Sequence, residues 1–421
     1  MGGLVLQLKS LEEKFKKKFI IPYREQRFFK KIQKKHTEAL QKIKGKNKIK
    51  VVFLAMNKSM WKVDTVFQKM LNDPFFELEI LICPDTIYGE KQMLEDMEEA
   101  YNYFLEKKYP VKKSKRDDGG WIKLDEINPD IVFFTRPHNS THEEYYENAY
   151  SNYLSCYVPY GHSVSKYDNY KAQYNQPFHN AMWMIFGPHE ECLDIFKNYS
   201  AARGKNVVIT GYPSCEAFFE DKKSNPWKSE DKLKVIWAPH HTISDPHIPY
   251  SNFLKMADDF LELTKKFSND IQFAFKPHPI LKSKLYLHPE WGESRTNAYY
   301  DYWASSDNTQ LELGEYIELF KYSDALIHDS GSFVAEYHYV KKPVFYIYNE
   351  YSKDHLNPFG IKAMESSYLG SNILDIEVFL NKLIVGSLEV DLQFYKKNIE
   401  VYFKPNMPSE KIINKIKSAF N

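Results

Sequence analysis

Cysteine is scarce in this chain. Its four residues, Cys83, Cys156, Cys192 and Cys215, lie far apart and make no C-x-x-C pair, which argues against a disulfide framework or zinc knuckle and for a reducing compartment. Long apolar runs are missing as well. No stretch approaches the roughly 18 apolar residues that cross a bilayer, and Lys9 with the cluster from Lys14 to Lys18 interrupts every candidate signal-peptide core. A cytoplasmic protein is expected. Glycine-rich phosphate loops are equally absent. With no G-x-G-x-x-G, P-loop, H-E-x-x-H or G-x-S-x-G, the dehydrogenase, NTPase, zincin and α/β-hydrolase readings fall away.

Excess charge is lacking only on average. The net charge is +1, yet residues 1–50 hold 16 Lys/Arg against 4 Asp/Glu, a local +12, which leaves −11 for the remainder. Such asymmetry marks a basic arm with an anionic partner. Leu4, Leu8, Leu11, Phe15 and Phe19 recur at helical spacing, as do Phe29, Ile32, His36, Leu40 and Ile43, with Pro22 between the two stretches. A basic amphipathic arm over residues 1–48 either docks on an anionic polymer or the inner membrane face through residues 1–45, or packs its apolar stripe on the body. No nucleic-acid partner is expected.

What is present is a globular composition, 43% apolar and 27% charged over 421 residues, long enough for two domains. From residue 50 the chain alternates strands and helices. Strands are expected at 50–55, 77–83, 131–135, 155–158, 183–186 and 207–210, then at 233–237, 271–275, 325–328 and 344–347. Helices are expected at 63–71, 90–107, 252–267, 313–322 and onward from Ser332. This alternation predicts an α/β protein with parallel sheets. The expected organisation is an acceptor domain over 49–212, a nucleotide-donor domain over 228–388 facing it across a cleft, and C-terminal helices over 389–421. Ligands of open parallel sheets bind beyond the carboxyl ends of the strands.

Four segments at such strand ends carry candidate chemistry. In the first, an apolar strand runs into Asp329-Ser330-Gly331-Ser332 with Glu336 one turn into the next helix. A turn of this kind offers hydroxyls, close backbone approach and a helix N-terminus to a diphosphate, and Glu336 to a ribose; an ordinary strand–turn–helix junction with a serine cap is the plain alternative. In the second, Lys276-Pro277-His278-Pro279 places a backbone-fixed histidine where it can donate to a phosphate oxygen. The third, His240-His241-Thr242 after Trp237-Ala238-Pro239, suits phosphate or acceptor binding, and no second cluster completes a metal site. The fourth, Tyr160-Gly161-His162-Ser163, offers His162 as a general base, with His138 after Arg136-Pro137 as its rival.

Together these segments resemble the CDP-glycerol glycerophosphotransferase family, the polymerases and primases of teichoic acids and related capsule polymers. The resemblance spans about residues 130–350. It is carried by Ala238-Pro239, His278-Pro279 and the strand ending in Asp329-Ser330-Gly331-Ser332, where the family usually shows an Asp-Tyr-Ser-Ser type sequence. A similar Asp-Ser-Gly run followed by Glu occurs in UDP-sugar epimerases and other enzymes of the GT-B fold. The family's proposed base lies in a Trp-His-Gly-Thr motif. Here Tyr160 stands where that histidine would be, and His162 sits two places later.

The resemblance implies two Rossmann-like domains of the GT-B fold and no cofactor. It also implies transfer of a polyol phosphate from a CDP-activated donor to a hydroxyl of a surface polymer or glycolipid, with CMP leaving. His278, with Ser330, Gly331 and Ser332, would hold the diphosphate, and His162 would take the proton. A sugar transferase using a UDP or CMP donor is the alternative reading, and a non-catalytic polymer-binding scaffold is the third.

Overall fold

The computed structural model describes residues 21–166, 168–244 and 250–420. Among these, one compact unit comprises 21–161, 168–214 and 405–420, and a second comprises 162–166, 215–244 and 250–404. The first unit is built on seven strands: β1 (Ile49–Ala55), β2 (Phe76–Ile82), β3 (Val111–Lys113), β4 (Ile131–Phe134), β5 (Leu154–Tyr157), β6 (Met184–Gly187) and β7 (Val207–Ile209). They form one parallel sheet in the order β3-β2-β1-β4-β5-β6-β7. The second unit has six: β8 (Leu233–Ala238), β9 (Ile271–Phe275), β10 (Thr309–Leu311), β11 (Ala325–His328), β12 (Val344–Ile347) and β13 (Tyr368–Gly370). These are also all parallel, in the order β10-β9-β8-β11-β12-β13. Two Rossmann-like units of the α/β class are thus present, as the alternation predicted.

The second sheet shows why its strands read as unbroken apolar runs rather than alternating ones. Side chains along a strand point to opposite faces in turn. Val235 and Trp237 enter one core with Phe273, Phe275 and Ile327, whereas Ile236 and Ala238 enter the other with Ala274 and Leu326. Helices cover both faces, so both sets must be apolar. On the larger side the helix Phe253–Lys266 presents Phe253, Met256, Ala257, Phe260 and Leu263, and the Trp237 and Phe260 rings stack with centroids 3.8 Å apart. Strands β3, β10 and β13, three residues each, were not expected; they are too short to leave a periodic signal. The helix expected at 313–322 begins only at Ile317.

Two expected boundaries need correction. Residues 162–166, expected in the acceptor domain, belong to the second unit, where Val164 O accepts from Asn357 N–H at 2.8 Å and Lys166 N–H donates to His355 O at 2.7 Å. Gly360 makes this approach possible, because a Cβ there would lie 2.6 Å from Val164 O. The C-terminal helices do not form a separate piece either. Helix Pro408–Lys417 lies in the first unit, where Lys69 pairs with Glu410 at 3.1 Å and Lys417 pairs with Asp73.

Residues 1–20, including the first expected helix, lie outside the described residues. Ile21–Ile43 is one helix, with Pro22 in its first turn. Its stripe packs on the body. Phe29, Ile32 and Ile43 are buried, Ile32 joins the core beside Phe134 and Tyr150, and Lys35 donates to Ser151 O at 2.9 Å. Arg24, Arg27, Lys30, Lys31 and Lys34 remain exposed. Among the described residues no helix is long and apolar enough to cross a membrane.

Candidate active site

Strand order in the second sheet reverses between β8 and β11, and such a switch point opens a crevice beyond the carboxyl ends of the two strands. The registers align those ends. His328 pairs with Ala238 and Trp237 with Phe275, so the segments leaving β8, β9 and β11 emerge at one level. Three of the four expected motifs therefore converge: His240-His241-Thr242, Lys276-Pro277-His278 and Asp329 to Ser332.

The imidazoles of His240, His241 and His278 cluster tightly. Ring centroids of His241 and His278 are 4.1 Å apart, those of His240 and His278 5.4 Å, and one nitrogen from each ring lies within 4.8 Å of the others. Three ring nitrogens this close could hold a metal ion, and they equally let one anion accept from more than one ring. Backbone geometry fixes the tautomer of His278. Ile280 N–H donates to its Nδ1 at 3.3 Å, so the neutral ring carries its proton on Nε2. The Nδ1 of His240 lies 2.9 Å from the Thr242 hydroxyl, which itself accepts from Tyr250 N–H at 3.2 Å. Burial, reinforced by the neighbouring imidazoles, pushes the His278 pKa down to about 3 and that of His240 well below its ordinary value. His240 and His278 are therefore neutral imidazoles.

Asp329 holds the cluster in place rather than facing solvent. It is 1% exposed, and its two oxygens accept from His240 N–H at 2.6 Å and Asn252 N–H at 2.5 Å. Burial raises its pKa to about 7, against the N–H donors that pull it down. The carboxylate thereby ties the loop after β8 to the start of helix Phe253–Lys266. Ser330 N–H donates to His328 Nδ1 at 3.1 Å, Gly331 lies under the Tyr250 ring with room for a Cβ 3.4 Å from it, and Ser332 is exposed.

Three expectations about this region change. The helix from Ser332 is a single turn, Phe333–Glu336, followed by the 3-10 turn Tyr337–Val340. So short a helix aligns few peptide dipoles, and the weight of anion binding shifts to the imidazoles. Glu336 is 3% exposed and accepts from the Tyr316 hydroxyl at 2.5 Å. Lys276 is buried too, its backbone N–H bonded to Trp237 O at 2.8 Å. Tyr250 and Asn252, which frame the turn, were missed, since nothing in the sequence before that helix distinguishes them from ordinary loop residues.

His162 does not face outward as a general base would. It is 3% exposed in the second unit, with Nε2 at 3.0 Å from the Tyr339 hydroxyl and 3.7 Å from Cys215 Sγ, and it stacks on Phe359. His138 follows β4 at the switch point of the first sheet. It is partly exposed, and its Nε2 lies 3.1 Å from the hydroxyl of Tyr160, the residue standing where the family resemblance puts a histidine. Burial, then the nearby Arg136 guanidinium, lowers the His138 pKa. Arg136 is itself held in a buried ion pair with Asp85.

Comparison with known proteins gives three findings. Residues 160–364 match the model of the family described as CDP-glycerol:poly(glycerophosphate) glycerophosphotransferase. No curated protein matches the chain. Among solved structures, the fold is similar to a UDP-GlcNAc 2-epimerase from Neisseria meningitidis bound to UDP-GlcNAc, with 16% identity over 88% of this chain and 100% of the other, and a TM-score of 0.55. It is equally similar to a variant of the wall teichoic acid polymerase TagF soaked with CDPG, at 16% identity over 96% of this chain and 98% of that one, with a TM-score of 0.55. At such identities the likeness speaks for the GT-B type of fold. The segment that matches this family model holds all three histidines of the cluster and the Asp329–Ser332 turn.

Proposed function

We propose that this chain transfers glycerol phosphate, or a closely related polyol phosphate, from a CDP-activated donor to a hydroxyl of a teichoic-acid-like surface polymer. The observation that carries the reading is the three-histidine cluster at the sheet's switch point, inside the segment that matches the family. Phosphoryl transfer asks a protein mainly for positioning and charge stabilisation. The acceptor oxygen attacks the β-phosphorus, the bond from that phosphorus to the bridging oxygen breaks, and CMP leaves with the electron pair. Nε2–H of His278 donates to a diphosphate oxygen, His240 and His241 add to it, and the Ser330 and Ser332 hydroxyls complete the cradle. Neutral donors suit this task, since no cation has to be desolvated before the donor arrives. Asp329 acts through His240 as a positioning residue.

The acceptor hydroxyl gives up its proton to a base. Burial of His162 against Tyr339 and Phe359 supports a structural role for it, and the His138–Tyr160 pair is the better candidate, its imidazole held neutral and ready to accept. The exposed Arg24, Arg27, Lys30, Lys31 and Lys34 support an anionic surface as partner, the growing polymer or the inner face of a membrane. Incubating the protein with CDP-glycerol, CDP-ribitol or UDP-GlcNAc and an acceptor, then separating the released nucleotides, tests the reading. CMP from a CDP-polyol is expected; UDP from the UDP-sugar without any CMP would overturn it.

A further inference from the structure

A pocket of about 480 Å³ opens at the carboxyl ends of the second sheet toward its β12 and β13 edge, and no motif accounts for it. Its walls are joined by hydrogen bonds. Asn252, whose backbone N–H is held by Asp329, donates through Nδ2 to Ile347 O at 3.1 Å, and Asn349 Nδ2 donates to Tyr250 O at 3.3 Å. Thr242, which touches His240, lines the same pocket. The pocket therefore shares both Thr242 and Asn252 with the scaffolding of the histidine cluster. The remaining lining is Ile243, three serine hydroxyls, the Asn349 amide and two phenol rings, Tyr348 and Tyr351, with one cation, Lys255, and one carboxylate, Glu350. Among the described residues no carboxylate pairs with Lys255.

We infer that this pocket seats the end of the acceptor, a polyol joined through a phosphodiester. The inference rests on the transfer reaction proposed above. In-line displacement at phosphorus places the incoming oxygen opposite the leaving one. The histidines follow β8 and β9 and steady the departing CMP, and the attacking polyol belongs beside them on the side away from β9, where the pocket lies between the segment after β8 and the loops after β12 and β13. The lining matches that ligand. One lysine suits the single negative charge of a phosphodiester, Glu350 and the amides accept and donate to polyol hydroxyls, and the exposed Tyr348 and Tyr351 rings offer flat apolar faces to its carbons.

The test is direct binding. Glycerophosphoglycerol, which holds one phosphodiester, is titrated calorimetrically into the full chain saturated with CMP, for the native protein and for Lys255→Gln, Lys255→Arg and Lys265→Gln, the last an exposed residue of the same helix outside the pocket. Losing one charge-assisted contact weakens binding about tenfold in Lys255→Gln; Lys255→Arg restores most of it, and Lys265→Gln leaves it unchanged. Lys255 is exposed, so neither substitution threatens folding. Equal affinity in the native protein and Lys255→Gln, or no heat from the native protein at millimolar ligand, overturns the assignment. CMP release from CDP-glycerol on the same preparations is a separate readout. Release without oligomer binding leaves the transfer reaction standing and removes the pocket from it, whereas oligomer binding without release does the reverse.

Discussion

Replacing Asp329 with alanine removes the acceptor that two backbone amides share. His240 N–H and Asn252 N–H, at 2.6 and 2.5 Å from the carboxylate, are left facing the space of a residue that is 1% exposed. Each buried donor without a partner costs about 1–3 kcal/mol, so the substitution destabilises the second unit by about 2–6 kcal/mol. The effect depends on pH, and its sign follows from the carboxyl itself. Burial raises the folded-state pKa to about 7, above the ordinary value of 3.8, so the stability it contributes is present at low pH and is lost as pH rises through 7. Between pH 6 and pH 8 the native protein loses a further about 1 kcal/mol as this buried group ionises. Asp329→Ala should therefore look milder at pH 8 than at pH 6. Urea unfolding at both pH values, with amide hydrogen exchange followed at His240 and Asn252, measures the loss. A destabilisation below about 1 kcal/mol, or a larger one at pH 8 than at pH 6, would refute the clasp.

Other substitutions separate chemistry from scaffolding. His278→Ala removes the best-defined donor and should lower the rate of CMP release about 10²–10³-fold while leaving the melting temperature almost unchanged. Gly360→Ala should do the opposite, destabilising the second unit by about 1–3 kcal/mol in calorimetry, because its Cβ would meet Val164 O at 2.6 Å and Leu356 Cδ2 at 3.0 Å. A base with a lowered pKa stays neutral to lower pH, so the rate should hold below pH 6.5 and fall only as pH drops through the depressed value. His138→Gln should slow turnover about 10²–10⁴-fold and flatten that acid limb. A His138→Gln enzyme with an unchanged pH profile would return the base to another group.

The central strands were legible in the sequence because each is a β-branched or aromatic run set between helical stretches, and β8, β9 and β11 fall where that pattern put them. His278 and His240 were legible for the same reason. A histidine next to proline just past an apolar strand has only the strand's end to occupy. The short edge strands, the reach of helix Pro408–Lys417 back to Asp73, and the passage of 162–166 into the second unit left no such trace. The edge strands are too short to show a period, and the other two features rest on contacts between residues far apart in the chain, about which local periodicity carries no information.

By itself, then, the sequence determined which elements form and which residues stand at strand ends, because propensity and apolar spacing act over a few neighbouring residues. Tertiary structure alone decided their environments. It buried His162 against Tyr339 and Phe359, gave His138 the Tyr160 hydroxyl, turned Asp329 and Glu336 inward, and brought three imidazoles within 4.8 Å. Exposure, hydrogen-bond partner and pKa are properties of packed neighbours, and in a parallel sheet those neighbours are chosen by strand order, not by proximity along the chain.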